Sequence, residues 1–540
     1  MLATRRAALT STLATGALAL LARPAGAQAT GGVLSGTAAA VDLLAQQVMA
    51  QGRQPGMSVC VVEAGRVVLA KGYGVMELGK PRTVDEATLF GVASNTKAMT
   101  AACIAMLVDE GKVEWDAPVT RYLPHFAMSD ETVTRLMTVR DLLVHRSGLS
   151  LGAGDLMIWP DPRFTRAELI AGLRHLPITG GFRAGYAYDN VLYVVAGEVI
   201  AAVSGMPWEA FFKARLLDPL GMSDSFALPS LTPRERRASP HARLGPPLRG
   251  LGEQRVLPFD NSFDSAGAAG GLNSCAKDIG KWLQAQLALG VAPDGRRLWS
   301  EAAHREMWKP QTITASTDGP TPGNPSRATI EAYALGWYVR DYRGERMLTH
   351  TGGLAGFSSE TALLPGRRSG VMEMTNAEEG GVLRAMRYGG LDRLQGRADF
   401  DWIGDSARIQ AAADAEAAAA SGAVVAPPAN AAAPSLPLAA YAGVYRDPWY
   451  GTITITERRP GGRARPTLRI SFDRTASLQG ALEPFDGETF RTVFDDRTQE
   501  DAFVTFTVVG GAVTGATMRA ISPLADFSYD FQDLRLTRER

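Results

Sequence analysis

Apolar residues run almost unbroken from position 98 to 108 (Ala98-Met99-Thr100-Ala101-Ala102-Cys103-Ile104-Ala105-Met106-Leu107-Val108), and the pattern stops at Gly111. A segment that is apolar on nearly every face predicts a buried helix, with the glycine as its left-handed terminus. Upstream, residues 38–50 show amphipathic helical spacing that ends by Gly52, with Thr37 in the capping position. Between these helices, residues 57–63 and 67–70 are rich in β-formers and flank Ala64-Gly65-Arg66, the pattern of a hairpin.

Helical periodicity then dominates. Thr138 caps a predicted helix over 139–144, and further helices are expected over 166–173, 191–204, 207–216 and 276–289. Strand patterns return at 334–340, 347–349, 360–364 and 370–374. Strands thus open and close the region, with helices between. The expected class is α+β, an antiparallel sheet flanked by helices in which the first hairpin pairs with the late strands.

The pattern changes after about residue 405. Residues 411–420 are nearly all alanine and read as helix, while 426–437 are Ala/Pro-rich and read as a semi-rigid linker. Beyond them, short strands are expected at 452–456 and 468–472 around Pro460-Gly461-Gly462, and at 503–509 and 512–518 around Gly510-Gly511. Two more, at 527–531 and 534–537, close the chain. With no long helix among them, these strands suit a small all-β barrel. The organisation expected is residues 1–27 as a signal peptide, 34–405 as the catalytic domain, 406–436 as linker and 437–540 as barrel.

Composition narrows the function. The chain has 540 residues, 46% hydrophobic and 21% charged, with 56 basic and 56 acidic side chains. With no basic excess, nucleic acid is a poor partner. Arg5-Arg6, an apolar stretch over 7–21 and Ala25-Gly26-Ala27 make a three-part export signal. Thr4-Arg5-Arg6 resembles a twin-arginine signal, but Ala8 departs from that pattern, so the Sec and twin-arginine routes stay open. The apolar stretch is too short to span a membrane, so a periplasmic or secreted protein is expected. The three cysteines (Cys60, Cys103, Cys275) lie far apart in apolar settings and read as core residues. The six histidines never approach metal-ligand spacing, and no metal or other cofactor is expected.

The candidate chemistry stands at the front of the buried helix. Ser94-Asn95-Thr96-Lys97 places a hydroxyl and an ammonium three residues apart, on one helical face. A lysine desolvated beside a serine is a plausible activating base. The spacing alone is weak, because Ser274-Cys275-Ala276-Lys277 repeats it. Two further clusters follow in order: Tyr188-Asp189-Asn190 and His350-Thr351-Gly352-Gly353. S-x-x-K, S-D-N and K-T-G form the signature set of class A β-lactamases and penicillin-binding proteins. Here the second and third elements are Y-x-N and H-T-G.

With these residues the chain resembles the serine β-lactamase-related superfamily, in the branch of class C β-lactamases, D-aminopeptidases and esterases. Connecting segments such as His145-Arg146-Ser147-Gly148-Leu149, Pro219-Leu220-Gly221-Met222 and Leu335-Gly336-Trp337 carry the same resemblance. It spans about residues 38–394. The tail from Leu438, with Tyr441-Ala442-Gly443-Val444-Tyr445 as its first strand, resembles a lipocalin-like domain found on some members. The resemblance implies Ser94 as nucleophile and Lys97 and Tyr188 as the proton-handling pair, without choosing the base between them. Asn190, His350, Thr351 and Gly352 would bind substrate or support the site, and the Ser94 and Gly353 N–H groups would form the oxyanion hole. His145 and the Ser274/Lys277 pair are read as structural.

One departure bears on substrate. Relatives that hydrolyse β-lactams usually carry Lys where this chain has His350, and a neutral imidazole is a poorer anchor for a carboxylate. An acyl-enzyme hydrolase acting on a D-amino-acid peptide, amide or small ester is therefore expected ahead of a β-lactamase or DD-carboxypeptidase. A catalytically silent penicillin- or peptidoglycan-binding protein is the alternative from another class. A small molecule or short peptide is the partner expected. The barrel is expected to narrow the cleft, or else to join copies into a homo-oligomer.

Overall fold

A computed structural model describes residues 35–245, 249–459 and 466–539. The export signal at 1–27 and the Pro460-Gly461-Gly462 turn lie outside the described residues. After helix α1 (Gly36–Met49), strands β1 (Gly56–Glu63) and β2 (Arg66–Gly74) form the expected hairpin. Its turn places Ala64 and Gly65 at φ +49° and +81°. Late in the domain come β3 (Thr312–Ser316), β4 (Ile330–Tyr333), β5 (Tyr338–Tyr342), β6 (Glu345–Leu354), β7 (Phe357–Leu364) and β8 (Ser369–Thr375). The eight strands make one sheet in the order β2-β1-β8-β7-β6-β5-β4-β3. The first hairpin joins the late strands through β1, with Met57 opposite Thr375 in an antiparallel register.

Both faces of the sheet are covered, which is why β1 is apolar at successive positions. On one side, Cys60 and Val62 face a helical layer. Its long helices are α2 (Thr96–Asp109), α3 (Val191–Ser204) and α4 (Ala276–Leu287). Every residue of α2 from Thr96 to Leu107 is buried, as its all-round apolar pattern requires. On the other side, Met57, Val59 and Val61 pack with Leu44 of α1 and Met386 of α5 (Gly380–Leu394).

The chain departs from the sequence reading in four places. The strand expected over 334–340 is broken, because Gly336 turns at φ +79° against α2. There a Cβ would lie 2.6 Å from the Ala98 backbone. The helix expected over 139–144 shrinks to one 3-10 turn, Asp141–Leu143, whose Asp141 carboxylate accepts from the Thr138 N–H and hydroxyl. The start of the linker at residue 406 is too early. Helix α6 (Trp402–Val425) docks on α5 through an Arg384–Asp405 ion pair at 2.8 Å and Trp402 stacked on Tyr388.

The last departure is in the C-terminal region. Strands β9 (Gly443–Asp447), β10 (Gly451–Arg458), β11 (Thr467–Phe472), β12 (Thr475–Asp486), β13 (Thr489–Phe494), β14 (Ala502–Val509), β15 (Ala512–Ala520) and β16 (Arg535–Arg538) close into a barrel. Residues 527–531, expected as a strand, are instead an irregular loop between β15 and β16. Phe527, Ser528 and Asp530 engage the catalytic domain, while Phe531 packs on Phe472 of the barrel.

Candidate active site

The nucleophile candidate sits on a strained turn. Ala93 has φ +54°, a left-handed conformation that costs about 1–2 kcal/mol for a residue with a Cβ. The turn Ala93–Asn95 then feeds directly into α2. It is pinned by the Thr96 hydroxyl donating to the Ala93 carbonyl at 2.6 Å and by the Val92 N–H donating to Leu272 at 2.8 Å. Ser94 is thereby held in the lining of a cavity of about 650 Å³.

Lys97 lies one helical turn on, fully buried. Its Nζ donates to Ser94 Oγ at 3.0 Å, Asn190 Oδ1 at 2.7 Å and the Ala269 carbonyl at 2.9 Å. Three donors thus meet three acceptors, which leaves no buried N–H of this amine unsatisfied. Burial nevertheless disfavours the charged form and brings Lys97 down to about 7, against the opposing pull of the Asp155 and Asp189 carboxylates. Tyr188 lines the cavity with Ser94, and its ring lies 4.8 Å from Lys97 Nζ. Burial drives the Tyr188 phenol well above its ordinary value, so it holds its proton at neutral pH.

Asn190 stands at the start of α3, yet its side chain makes no capping bond. Its carbonyl takes the Lys97 hydrogen bond, and its amide donates to Asp155 Oδ2 at 2.8 Å. The site's opposite wall is β6. Strand β5 pairs with β6 only as far as Tyr338 opposite Thr349, which leaves the next stretch of β6 with a free edge along the cavity. Gly352 makes this approach feasible, because a Cβ there would lie 2.5 Å from the Val92 carbonyl and 2.9 Å from Ala93 Cβ. Thr351 and Gly353 are exposed on that edge, and both line the cavity with His350.

His350 is almost fully buried, and burial with the nearby Lys97 charge pushes it down to about 3. Nδ1 bonds the Thr351 carbonyl at 2.6 Å and Nε2 bonds the Tyr333 hydroxyl at 2.8 Å. A neutral ring with Nδ1–H donating and Nε2 accepting satisfies both contacts. His145 lies behind Tyr188 with the two rings 4.1 Å apart, and burial lowers it well below its ordinary value.

The structure therefore brings Ser94, Lys97, Tyr188, Asn190, His350, Thr351, Gly352 and Gly353 to one place. It does not bring the second S-x-x-K together: Ser274 bonds Ser225 at 2.8 Å, and Lys277 pairs with Asp224 at 2.6 Å. Sequence reasoning missed Asp155, Tyr186, Tyr333 and Tyr338, and it expected the barrel at the cleft without naming the residues it supplies. Phe527 of the barrel loop packs edge-on to Tyr188 at 5.7 Å, and its neighbour Ser528 donates to Asp155 Oδ2 at 2.9 Å. No local motif marks these residues: Asp155 meets Asn190 from 35 positions away and Ser528 from 373, and Tyr333 meets His350 from 17.

Residues 41–394 match the family model described as Beta-lactamase, and residues 427–538 match a domain of unknown function, DUF3471. The chain belongs to the beta-lactamase family, and it is a hydrolase of the serine β-lactamase fold followed by an eight-stranded barrel. Unguisins hydrolase ungD' of Aspergillus campestris (strain IBT 28561) is 30% identical over 420 residues, 74% of this chain and 74% of that protein. The D-amino acid amidase from Ochrobactrum anthropi SV3, solved with L-phenylalanine amide, superposes with a TM-score of 0.53. It is 26% identical, covering 67% of this chain and 97% of its own. An octameric penicillin-binding protein homologue from Pyrococcus abyssi shares the fold at 22% identity and a TM-score of 0.55, over 92% of this chain and 99% of its own.

Proposed function

We propose that this chain is an exported serine hydrolase that works through an acyl-enzyme on D-amino-acid peptides, amides or small esters. The observation that carries the reading is the buried Lys97 amine 3.0 Å from the Ser94 hydroxyl and brought down to about 7. An amine that is neutral near pH 7 can take the Ser94 proton as Oγ bonds to the carbonyl carbon. Tyr188, still protonated, then hands its proton to the leaving nitrogen or oxygen and is reprotonated from Lys97. The Ser94 and Gly353 N–H groups would hold the oxyanion, and removing such a donor costs about 2.7–4 kcal/mol. Water enters by the reverse route, losing its proton to the same pair, and releases the acid.

The cavity's charge supports the substrate choice. His350 offers no cation to a substrate carboxylate. The lining also carries Glu378, which pairs with Arg249, the carboxylates of Asp414 and Asp526, and Glu500, which burial pushes up to about 8. A neutral or amine-bearing substrate suits this lining better than the anionic β-lactams do. The name of the D-amino acid amidase points to an amide substrate for a relative of the same fold.

The test is a hydrolysis panel on wild type and Ser94→Ala: nitrocefin, a p-nitrophenyl ester, and D- and L-alanyl anilides. Ester and D-anilide turnover lost in Ser94→Ala is expected, with nitrocefin the poorest substrate. Turnover that survives Ser94→Ala removes the nucleophile assignment, and no Ser94-dependent turnover at all favours a binding protein. Export predicts a mature N-terminus at Gln28, readable by N-terminal sequencing. Gel filtration tests self-association, which the octameric homologue makes worth measuring.

A further inference from the structure

The loop between β15 and β16 leaves the barrel and enters the catalytic domain. Asp530 accepts from the Gly154 N–H at 2.7 Å and the Leu156 N–H at 3.0 Å, and Asp533 accepts from the Ser150 hydroxyl at 2.6 Å. Between these anchors and the barrel, Ser528 donates to Asp155 Oδ2. That same oxygen accepts from Asn190, whose carbonyl receives Lys97. An unbroken hydrogen-bonded chain thus runs Ser528–Asp155–Asn190–Lys97–Ser94. Asp155 is fully buried and its other oxygen, Oδ1, has no hydrogen-bond partner among the described residues, so Ser528 and Asn190 orient the carboxylate.

We propose that Ser528, carried by the barrel, is a positioning residue of the catalytic centre: it holds Asp155 against Asn190 and so fixes the Lys97 amine beside the Ser94 hydroxyl. The proposal rests on the reading of Ser94 and Lys97 as nucleophile and base. It makes the barrel a part of the active site and not an appended module. Carboxylates behind a first layer of catalytic groups commonly act this way, by fixing orientation and basicity.

The pH response follows from the charges. Lys97 is faced by Asp155 and Asp189, with His145 and His350 neutral beside it. Asp155 is faced by Lys97, Asp526, Asp530 and the protonated Tyr188. Removing the Ser528 hydroxyl takes a donor from the Asp155 carboxylate and makes it harder to ionise. Lys97 then loses part of the negative potential that stabilises its charged form. The acid limb of kcat/KM should therefore move to lower pH.

The experiment uses full-length Ser528→Ala, Ser528→Thr and Asp155→Asn with a p-nitrophenyl ester across pH 5–9, alongside melting curves. In Ser528→Ala, kcat is expected to fall about tenfold with KM little changed, as loss of one buried hydrogen bond implies. Its acid limb should shift to lower pH, further in Asp155→Asn, and Ser528→Thr should restore both. An unchanged limb and rate in a folded Ser528→Ala overturns the proposal, and so does a rate loss with no limb shift in either variant. Either result leaves the nucleophile assignment standing if Ser94→Ala is inactive, so the two readings fail separately.

Discussion

Two imidazoles flank Lys97, and both are held neutral. His350 is pushed down to about 3 and His145 well below its ordinary value, each by burial with the Lys97 charge adding to it. Lys97 titrates near neutrality, brought down to about 7 by burial, together with the Asp155 and Asp189 carboxyls that face it, which burial raises to about 7. Below that pH its Nζ already carries the proton that it must accept from Ser94, and above it the amine is free. The quantity kcat/KM should therefore rise with pH through about 7. His350→Gln keeps an acceptor for Tyr333 and should leave this limb in place. Lys97→Met should abolish the limb and cost about 10²–10⁴-fold in rate. Initial rates on a p-nitrophenyl ester from pH 5 to 9 check both, and a limb lost in His350→Gln would assign it to the histidine.

At the scale of elements, two glycines set how closely the sheet approaches the nucleophile helix. Gly352 lets β6 lie on the Val92–Ala93 turn, and Gly336 lets the β4–β5 connection lie on Ala98. Gly352→Ala should push β6 off the turn and cost about 10²-fold in acylation, the usual effect of a misplacement of about 1 Å. Gly336→Ala adds steric overlap to a left-handed backbone and should destabilise by at least about 2 kcal/mol, measurable by urea unfolding. These contacts also explain what the sequence could and could not show. Ser94 and Lys97 were legible because their spacing heads a long apolar run and two further clusters follow it in order, whereas the same spacing at Ser274 and Lys277 brings no pair together. Gly336 broke an expected strand because its reason lies in a tertiary contact. The segment Phe527-Ser528-Tyr529-Asp530-Phe531 alternates apolar and polar residues as a strand does. Here, however, Phe527 meets Tyr188, Ser528 meets Asp155, Tyr529 meets Trp159 and Asp530 meets the 154–156 backbone.

At the scale of the whole molecule, the barrel and the catalytic domain share buried polar contacts, and Asp530 is the most deeply placed. It is fully buried, and burial together with the neighbouring Asp155 and Asp533 raises its carboxyl well above the ordinary range. The sign of its effect on stability follows from proton counts. In the unfolded chain an aspartate releases its proton near pH 4, whereas the folded chain keeps it to much higher pH. The folded state then binds more protons than the unfolded state, so this group's contribution to stability falls as pH rises, by up to about 1.4 kcal/mol per pH unit. An asparagine in its place has nearly the same shape and no proton to release. The advantage of wild type over Asp530→Asn should therefore be greatest near pH 4–5 and shrink toward pH 8. Thermal or urea unfolding of both proteins at the two ends of that range measures it. Wild type gaining on the variant as pH rises would show instead that Asp530 is ionised in the fold, held by the Gly154 and Leu156 N–H groups. If Asp530 is the seal between barrel and catalytic domain, Asp530→Ala leaves those two N–H groups unpaired. It should then lower the melting temperature and weaken ester turnover together, because the loop it anchors also carries Ser528.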